Sequence, residues 1–246
     1  MSARLLVVMH EDDCPPGWFG DWFLDAGVRY DAWPAHRTPL PDHLSGYDGL
    51  VVLGGEMGAY DDADHPWLTD TKRLIAAAVT DTTPFLGICL GHQLAAVALG
   101  GEVRRNTHGH ARGLTPFRPN AAGRVDPLLG AVDDGAPALQ WNRDVVTRLP
   151  TAATELATSP DGTVQAARFG QCAWGVQFHP ETSPEIFYSW TLGDGVVGQP
   201  AEVGQPAEVD VPAAYAAVLD GEAELRRSWQ PLAFRFAELV SSPEAP

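Results

Sequence analysis

The chain opens on an apolar run, Arg4–Met9 (RLLVVM), which a turn-rich EDDCPPG breaks before the hydrophobic pattern resumes with a different period. Over Trp18–Ala26 the residues Trp18, Trp22 and Phe23 recur at helical spacing, and Gly27 is placed to end the helix. The next unbroken apolar stretch, Gly49–Leu53 (GLVVL), reads as a buried strand stopped by Gly54 and Gly55. Pro66–Val79 sets Leu68, Ile75 and Val79 along one side of a second helix. Phe85–Ile88 predicts a third strand, and Leu90–Leu99 an Ala/Leu-rich helix closed by Gly100 and Gly101. Short all-apolar strands alternating with helices call for βα units. A strand buried on both faces is reached by a helical crossover, so the sheet is expected to be largely parallel.

From about residue 102 to 178 the pattern shortens into β-like pieces separated by Pro, Gly and Asp. Thr163–Phe169 and Cys172–Phe178 read as two strands around a Phe169–Gly170–Gln171 turn, the texture of a small antiparallel β section. The hexapeptide VGQPAE occurs at Val197–Glu202 and again at Val203–Glu208, too short a unit for a solenoid. Its Gly, Pro and Glu content predicts an exposed, mobile acidic loop over 194–212. Helical spacing returns over Glu222–Val240 through Leu225, Trp229, Leu232, Phe236 and Leu239, with Pro231 expected to divide it. The reading is one α/β domain over 1–246. Its core spans about 3–192, and a C-terminal helical tail covers 213–240.

Charge narrows the function. The 246 residues carry a formal net charge of −16, which disfavours wrapping nucleic acid or lying on an anionic membrane. Only one residue is a lysine, Lys72, and no glycine loop precedes it, so a Walker-type ATP cradle is absent. The acidity is uneven: residues 1–83 have a net charge of −9, 84–193 of −1 and 194–246 of −6. No stretch approaches the roughly 18 apolar residues of a membrane span. The first apolar run is also too short for a secretory signal. Cys14, Cys89 and Cys172 are scattered, without a CxxC pair. That argues against a disulfide framework or structural zinc, and for a reducing cytoplasm. His108-Gly109-His110 lacks a nearby carboxylate and reads as a polar loop, so neither metal nor cofactor is expected. Cys172 is expected to be buried and inert, and Cys14 exposed without a partner. Asp12, Asp13, Asp61, Asp62 and Asp64 are expected to be solvated loop acids.

Three segments carry candidate chemistry. Gly87-Ile88-Cys89-Leu90-Gly91 follows an apolar strand and opens a helix, the context of a nucleophile elbow with cysteine as nucleophile. Small flanking residues suit a turn where backbones crowd, and the helix N-terminus favours a thiolate. In Gly175-Val176-Gln177-Phe178-His179-Pro180-Glu181 the alternation puts Gln177 and His179 on one face, and Pro180 ends the strand. His179 then stands at the strand tip with Glu181 close enough to fix its tautomer. Nucleophile, base and orienter are the parts a thiol acyl-transfer enzyme needs. After the Leu50–Leu53 strand, Gly54-Gly55-Glu56-Met57-Gly58-Ala59-Tyr60-Asp61 can leave peptide N–H groups free for an oxyanion.

In that order and spacing, GGEMGAYD, GICLGHQ and GVQFHPE resemble the three signatures of class I glutamine amidotransferases. The likeness is to stand-alone members similar to the amidotransferase domain of GMP synthase, and it covers roughly residues 3–190. It implies a flavodoxin-like α/β fold, mostly parallel and flanked by helices, and hydrolysis of the glutamine side-chain amide. The matched positions imply Cys89 as nucleophile, His179 as base and Glu181 as its orienter. Gly55 and Leu90 would supply the oxyanion hole, while Gly54 and Gln93 would contact glutamine. No ATP-using module is visible, so ammonia would be released or passed to a separate ATP-dependent synthase. Two other readings stand beside this one: a γ-glutamyl hydrolase for larger amines, its pocket set by loops around Tyr60, Arg112 and Asn142, and a non-catalytic regulatory subunit. The complete Cys-His-Glu set argues against the last. Two departures from the family pattern stand out: Glu56 occupies a usual proline position, and Trp141-Asn142-Arg143-Asp144 carries Asn and Arg where His and Gly are common.

Overall fold

Residues 2–193 and 211–242 are described in the structure, a computed structural model. The short apolar runs pair side by side. Arg4–Met9 (β1), Gly49–Val52 (β3) and Phe85–Ile88 (β4) lie in register at the centre of a seven-stranded sheet. Arg29–Pro34 (β2) flanks β1 in parallel, and Ala173–Val176 (β11) flanks β4 in parallel. Val164–Gly170 (β10) and Thr154–Thr158 (β9) complete the sheet antiparallel, in the order β2-β1-β3-β4-β11-β10-β9. Its parallel part follows the order of flavodoxin-like folds.

Alternation along the strands sorts the core into two layers. Leu5 and Val7 face Trp22 and Phe23 of Gly17–Asp25 (α1), while Leu6 and Val8 face the opposite layer. That second layer holds Leu74 and Ile75 of Trp67–Thr80 (α2) and Leu94 of Leu90–Ala98 (α3). Strands covered on both faces explain why β1, β3 and β4 are nearly all apolar. Gly27 ends α1 at φ +78, its N–H on Leu24 O and that of Val28 on Phe23 O, a left-handed cap that needs no Cβ.

Between α3 and β9 the chain forms two small antiparallel pairs. Glu102–Arg105 (β5) pairs Asp144–Arg148 (β8), and Ala111–Pro116 (β6) pairs Pro137–Asn142 (β7). A single helical turn, Ala121–Arg124 (α4), lies between β6 and β7 and is capped by the Asn120 side chain. The antiparallel hairpin expected around Gly170 is present, but its strands extend the main sheet because β11 pairs β4.

Pro184–Gly193 (α5), Val211–Asp220 (α6) and Glu222–Ser241 (α7) follow. The expected division of the tail at Pro231 is corrected: α7 runs through Pro231, and the break lies at Gly221. Burial outweighs the lost backbone bond there, since Trp229, Leu232 and Phe236 are fully buried. Phe236 packs on Phe23 with ring centroids 6.1 Å apart, so this segment belongs to the core. Both VGQPAE copies lie outside the described residues, and the helical segment begins at Val211, two residues ahead of the expected 213.

Candidate active site

β4 ends on the elbow. Cys89 has φ +50 and ψ −103, a conformation that costs a non-glycine residue roughly 1–3 kcal/mol. It is held by main-chain bonds at both ends: its N–H donates to Val176 O at 2.8 Å, and its carbonyl accepts from Gln93 N–H at 3.1 Å. The flanking glycines have a steric reason. A Cβ at Gly91 would stand 2.1 Å from Val52 O, and one at Gly87 2.6 Å from the Gly91 carbonyl. Any side chain at either position would push α3 off the sheet.

His179 is delivered by a switch of hydrogen-bonding partner. Gln177 N–H still donates to Gln165 O of β10, but His179 N–H donates to Leu139 O of β7 at 2.8 Å. The base thus hangs where the small sheet meets the large one. Its Nδ1 lies 2.8 Å from Glu181 Oε1, which also accepts from the Thr182 hydroxyl at 3.2 Å. Trp18 N–H holds the Glu181 carbonyl at 2.8 Å. Burial alone would push the imidazolium down. The charge of Glu181, then that of Cys89 and its hydrogen bond, more than reverse this and raise His179 to about 10. With Nδ1 on Glu181, Nε2 is the nitrogen left for the thiol, whose Sγ accepts from Gln177 Nε2 at 3.6 Å. The indole of Trp190, on α5, packs 4.6 Å from the His179 ring, its N–H fixed on Asp13 O at 2.8 Å.

The loop after β3 closes the site. Gly54 lies against His179, where a Cβ would meet the ring at 2.9 Å, so its role here is close approach to the imidazole. Among the described residues neither Gly55 N–H nor Leu90 N–H donates to a protein acceptor. Lys72 secures the far end of this loop, reaching Ala59 O at 3.1 Å and Asp62 at 2.6 Å. The near end is tied to the loop after β1, where Glu11 Oε1 accepts from Glu56 N–H at 3.0 Å and from the Cys14 thiol at 3.1 Å.

These parts enclose a cleft of about 190 Å³ lined by two side-chain networks. One comprises Glu11, Asp13, Cys14 and Glu56, from the loops after β1 and β3. In the other, Gln93 donates to Asp144 O at 2.9 Å, Arg105 approaches Asp144 at 3.4 Å, and Arg143 Nε approaches His110 at 3.4 Å. Burial raises Glu11 to about 7. The Cys14 and Glu56 N–H hydrogen bonds oppose that rise, while the neighbouring Asp13 and Glu56 charges add to it. Burial, with Arg112, Arg143 and Arg105 nearby, lowers His110 to about 3.

Of the residues singled out from sequence, Cys89, His179, Glu181, Gly55, Leu90 and Gln93 converge here, and Asn142 lines the cleft. One expectation is corrected. Cys14 is buried and bonded to Glu11, because the loop folds back under the Glu56 N–H. Asp13 is exposed like Asp12, as expected, and it also lines the mouth of the cleft. Tyr60 and Arg112 stand outside the lining: the Tyr60 hydroxyl accepts from Val103 N–H, and Arg112 lies over the Trp141 ring. His110 belongs to the cleft, in edge contact with Trp141 at 5.0 Å. Glu11, Asp13 and Cys14 place their ligand atoms within 4.8 Å of one another, a spacing already used by the thiol–carboxylate bond. Among the described residues no helix is long and apolar enough to cross a membrane.

Comparison with known proteins gives consistent matches. The sequence profile of the family "Glutamine amidotransferase class-I" matches residues 23–196. A γ-glutamyl peptidase 5 of Arabidopsis thaliana is 28% identical over 222 residues, spanning 89% of this chain and 85% of the relative. A glutamine-hydrolysing GMP synthase of Thermotoga maritima is 32% identical over 142 residues, 56% of this chain but only 25% of the relative. The chain thus corresponds to about a quarter of that enzyme. A solved glutamine amidotransferase structure from Thermotoga maritima superposes with a TM-score of 0.83 at 26% identity, covering 97% of this chain and 99% of the other.

Proposed function

The chain belongs to the class-I glutamine amidotransferase family, and from that premise we propose that it hydrolyses the side-chain amide of glutamine through Cys89, His179 and Glu181. The observation that carries this reading is a cysteine on a strained elbow beside a buried imidazole whose Nδ1 is 2.8 Å from a buried carboxylate. Cys89 Sγ attacks the amide carbon, and the oxygen that gains charge is met by the Gly55 and Leu90 N–H groups. An imidazolium that stays charged at neutral pH is poised to give its proton to the departing nitrogen. The C–N bond breaks, leaving a γ-glutamyl thioester. His179, now neutral, takes a proton from water, whose oxygen displaces the thiol and releases glutamate. Ammonia leaves the cleft, free or toward a separate ATP-dependent synthase in the cytoplasm.

Cys89→Ala tests the chemistry. Glutamate release from glutamine is expected to fall by at least about 10³-fold with the circular dichroism spectrum unchanged. Retained turnover would refute the mechanism. A second reading, hydrolysis of γ-glutamyl amines larger than glutamine, draws on the γ-glutamyl peptidase likeness, which spans nearly the whole chain. The same thioester serves both. The ratio of kcat/KM for glutamine and for γ-glutamyl amines decides which substrate it serves.

A further inference from the structure

The nitrogen that leaves must receive its proton from His179, so whatever is attached to that nitrogen lies on the His179 side of the cleft. Trp190 packs on His179 and donates to the Asp13 main-chain carbonyl, which brings the segment that carries Asp13 to that side. Glu56 directly follows Gly55 and is bound through its N–H to Glu11, so two further carboxylates belong to the same network. No ion pair to Glu11, Asp13 or Glu56 occurs among the described residues, in contrast to Asp12 and Asp62, which pair with Arg37 and Lys72. Glu181 is buried, its Oε2 has no hydrogen-bond partner, and its charge contributes to pushing up the Cys14 thiol. Burial, with the Asp13 and Glu56 charges adding to it, pushes Glu11 up to about 7. The arginines among the lining residues, Arg105 and Arg143, belong to the other network, with Gln93 and Asp144. That network suits the glutamyl α-carboxylate and leaves the acids for a different group.

We propose that the cleft selects γ-glutamyl amides whose amine portion carries a second, positively charged group, held by Glu11, Asp13 and Glu56 beside the Trp190 ring. The proposal rests on the reading that Cys89 cleaves γ-glutamyl C–N bonds, and it names the substrate class within it. Carboxylates at a cleft with no cation of their own are a favourable seat for an ammonium or guanidinium group. Hydrolysis adds one water across the C–N bond and yields glutamate and the free cationic amine, with no further reactant.

The test compares three γ-glutamyl amides of matched length: N-(4-aminobutyl), N-pentyl and N-(3-carboxypropyl), with glutamine alongside. The wild-type protein is expected to favour the aminobutyl over the pentyl amide by about tenfold in kcat/KM, and to disfavour the carboxypropyl amide. In Glu56→Gln and Asp13→Asn that preference should fall toward one. In the wild-type protein, which needs no refolding control, it should also shrink as NaCl rises from about 0.05 to 0.5 M. Turnover of glutamine with equal or better turnover of the pentyl amide overturns the proposal and leaves the function standing. Failure to turn over any of the four overturns the function and the proposal with it.

Discussion

Two residues in the site hold states that their side chains do not adopt unaided. Cys89 keeps a positive φ because Val176 O, Gln93 N–H and the two flanking glycines leave its backbone no other course. His179 keeps a proton because Glu181 and Cys89 outweigh its burial, raising it from 6.5 to about 10. His10 and His92 go the other way: burial lowers both to about 3, so they are neutral at ordinary pH. Linkage follows from these directions. The His179 contribution to stability is complete below pH 6.5 and is lost as pH rises through about 10. That of His10 and His92 is complete above pH 6.5 and is lost as pH falls through about 3. Histidine NMR between pH 5 and 8 is therefore expected to show His179 as an unvarying imidazolium and His10 and His92 as unvarying neutral rings. Glu181→Gln should bring His179 back into the observable range. A wild-type His179 titrating near 6.5 would contradict the pairing.

At the scale of elements, the base depends on a helix that never touches it. Trp229 on α7 packs on Phe178 at 4.6 Å and donates its indole N–H to Pro137 O at 2.7 Å, fixing the start of β7. Leu139, two residues on, holds the His179 N–H. Trp229→Ala is expected to cost about 3–5 kcal/mol of stability and to lower kcat as well, measured by urea unfolding and by turnover in the folded protein. Lost stability with unchanged kcat would show that β7 keeps its place without α7. This dependence is not legible in the sequence, where Trp229 is only one apolar position of a helical stripe. The elements that were legible have local causes: β1 and β4 are unbroken apolar runs, and the elbow and the His-Pro-Glu segment are contiguous motifs. β2 (RYDAWP) escaped because it is an edge strand, half exposed, with no clean apolar run. The break at Gly221 was misplaced to Pro231 because the packing that carries α7 through a proline comes from distant residues. Glu11, Asp13 and Trp190 gave no signal for a similar reason. Asp13 and Trp190 are joined across 177 residues, and no local pattern records such a meeting.

At the scale of the whole molecule, the charge distribution changes meaning. The −9 of residues 1–83 looks in sequence like a property of a flank, yet Glu11, Asp13 and Glu56 from that stretch line the cleft. The near-neutral segment supplies the nucleophile and base, and the acidic one supplies part of their surroundings. The sheet also sets the spacing of the site. Ile88 of β4 stands in register with Val176 of β11, and Cys89 N–H closes on Val176 O, so nucleophile and base hang from neighbouring strands. Neighbouring strands lie about 4.8 Å apart, and here both are interior to the sheet. Separating thiol from imidazole means rupturing the ladder at the middle of the fold. The backbone amide of Cys89 should therefore be among the slowest to exchange with deuterium, opening only when the whole molecule does. Urea should abolish turnover and native circular dichroism at one common midpoint. A protein inactivated well below its unfolding midpoint would have a site that frays on its own.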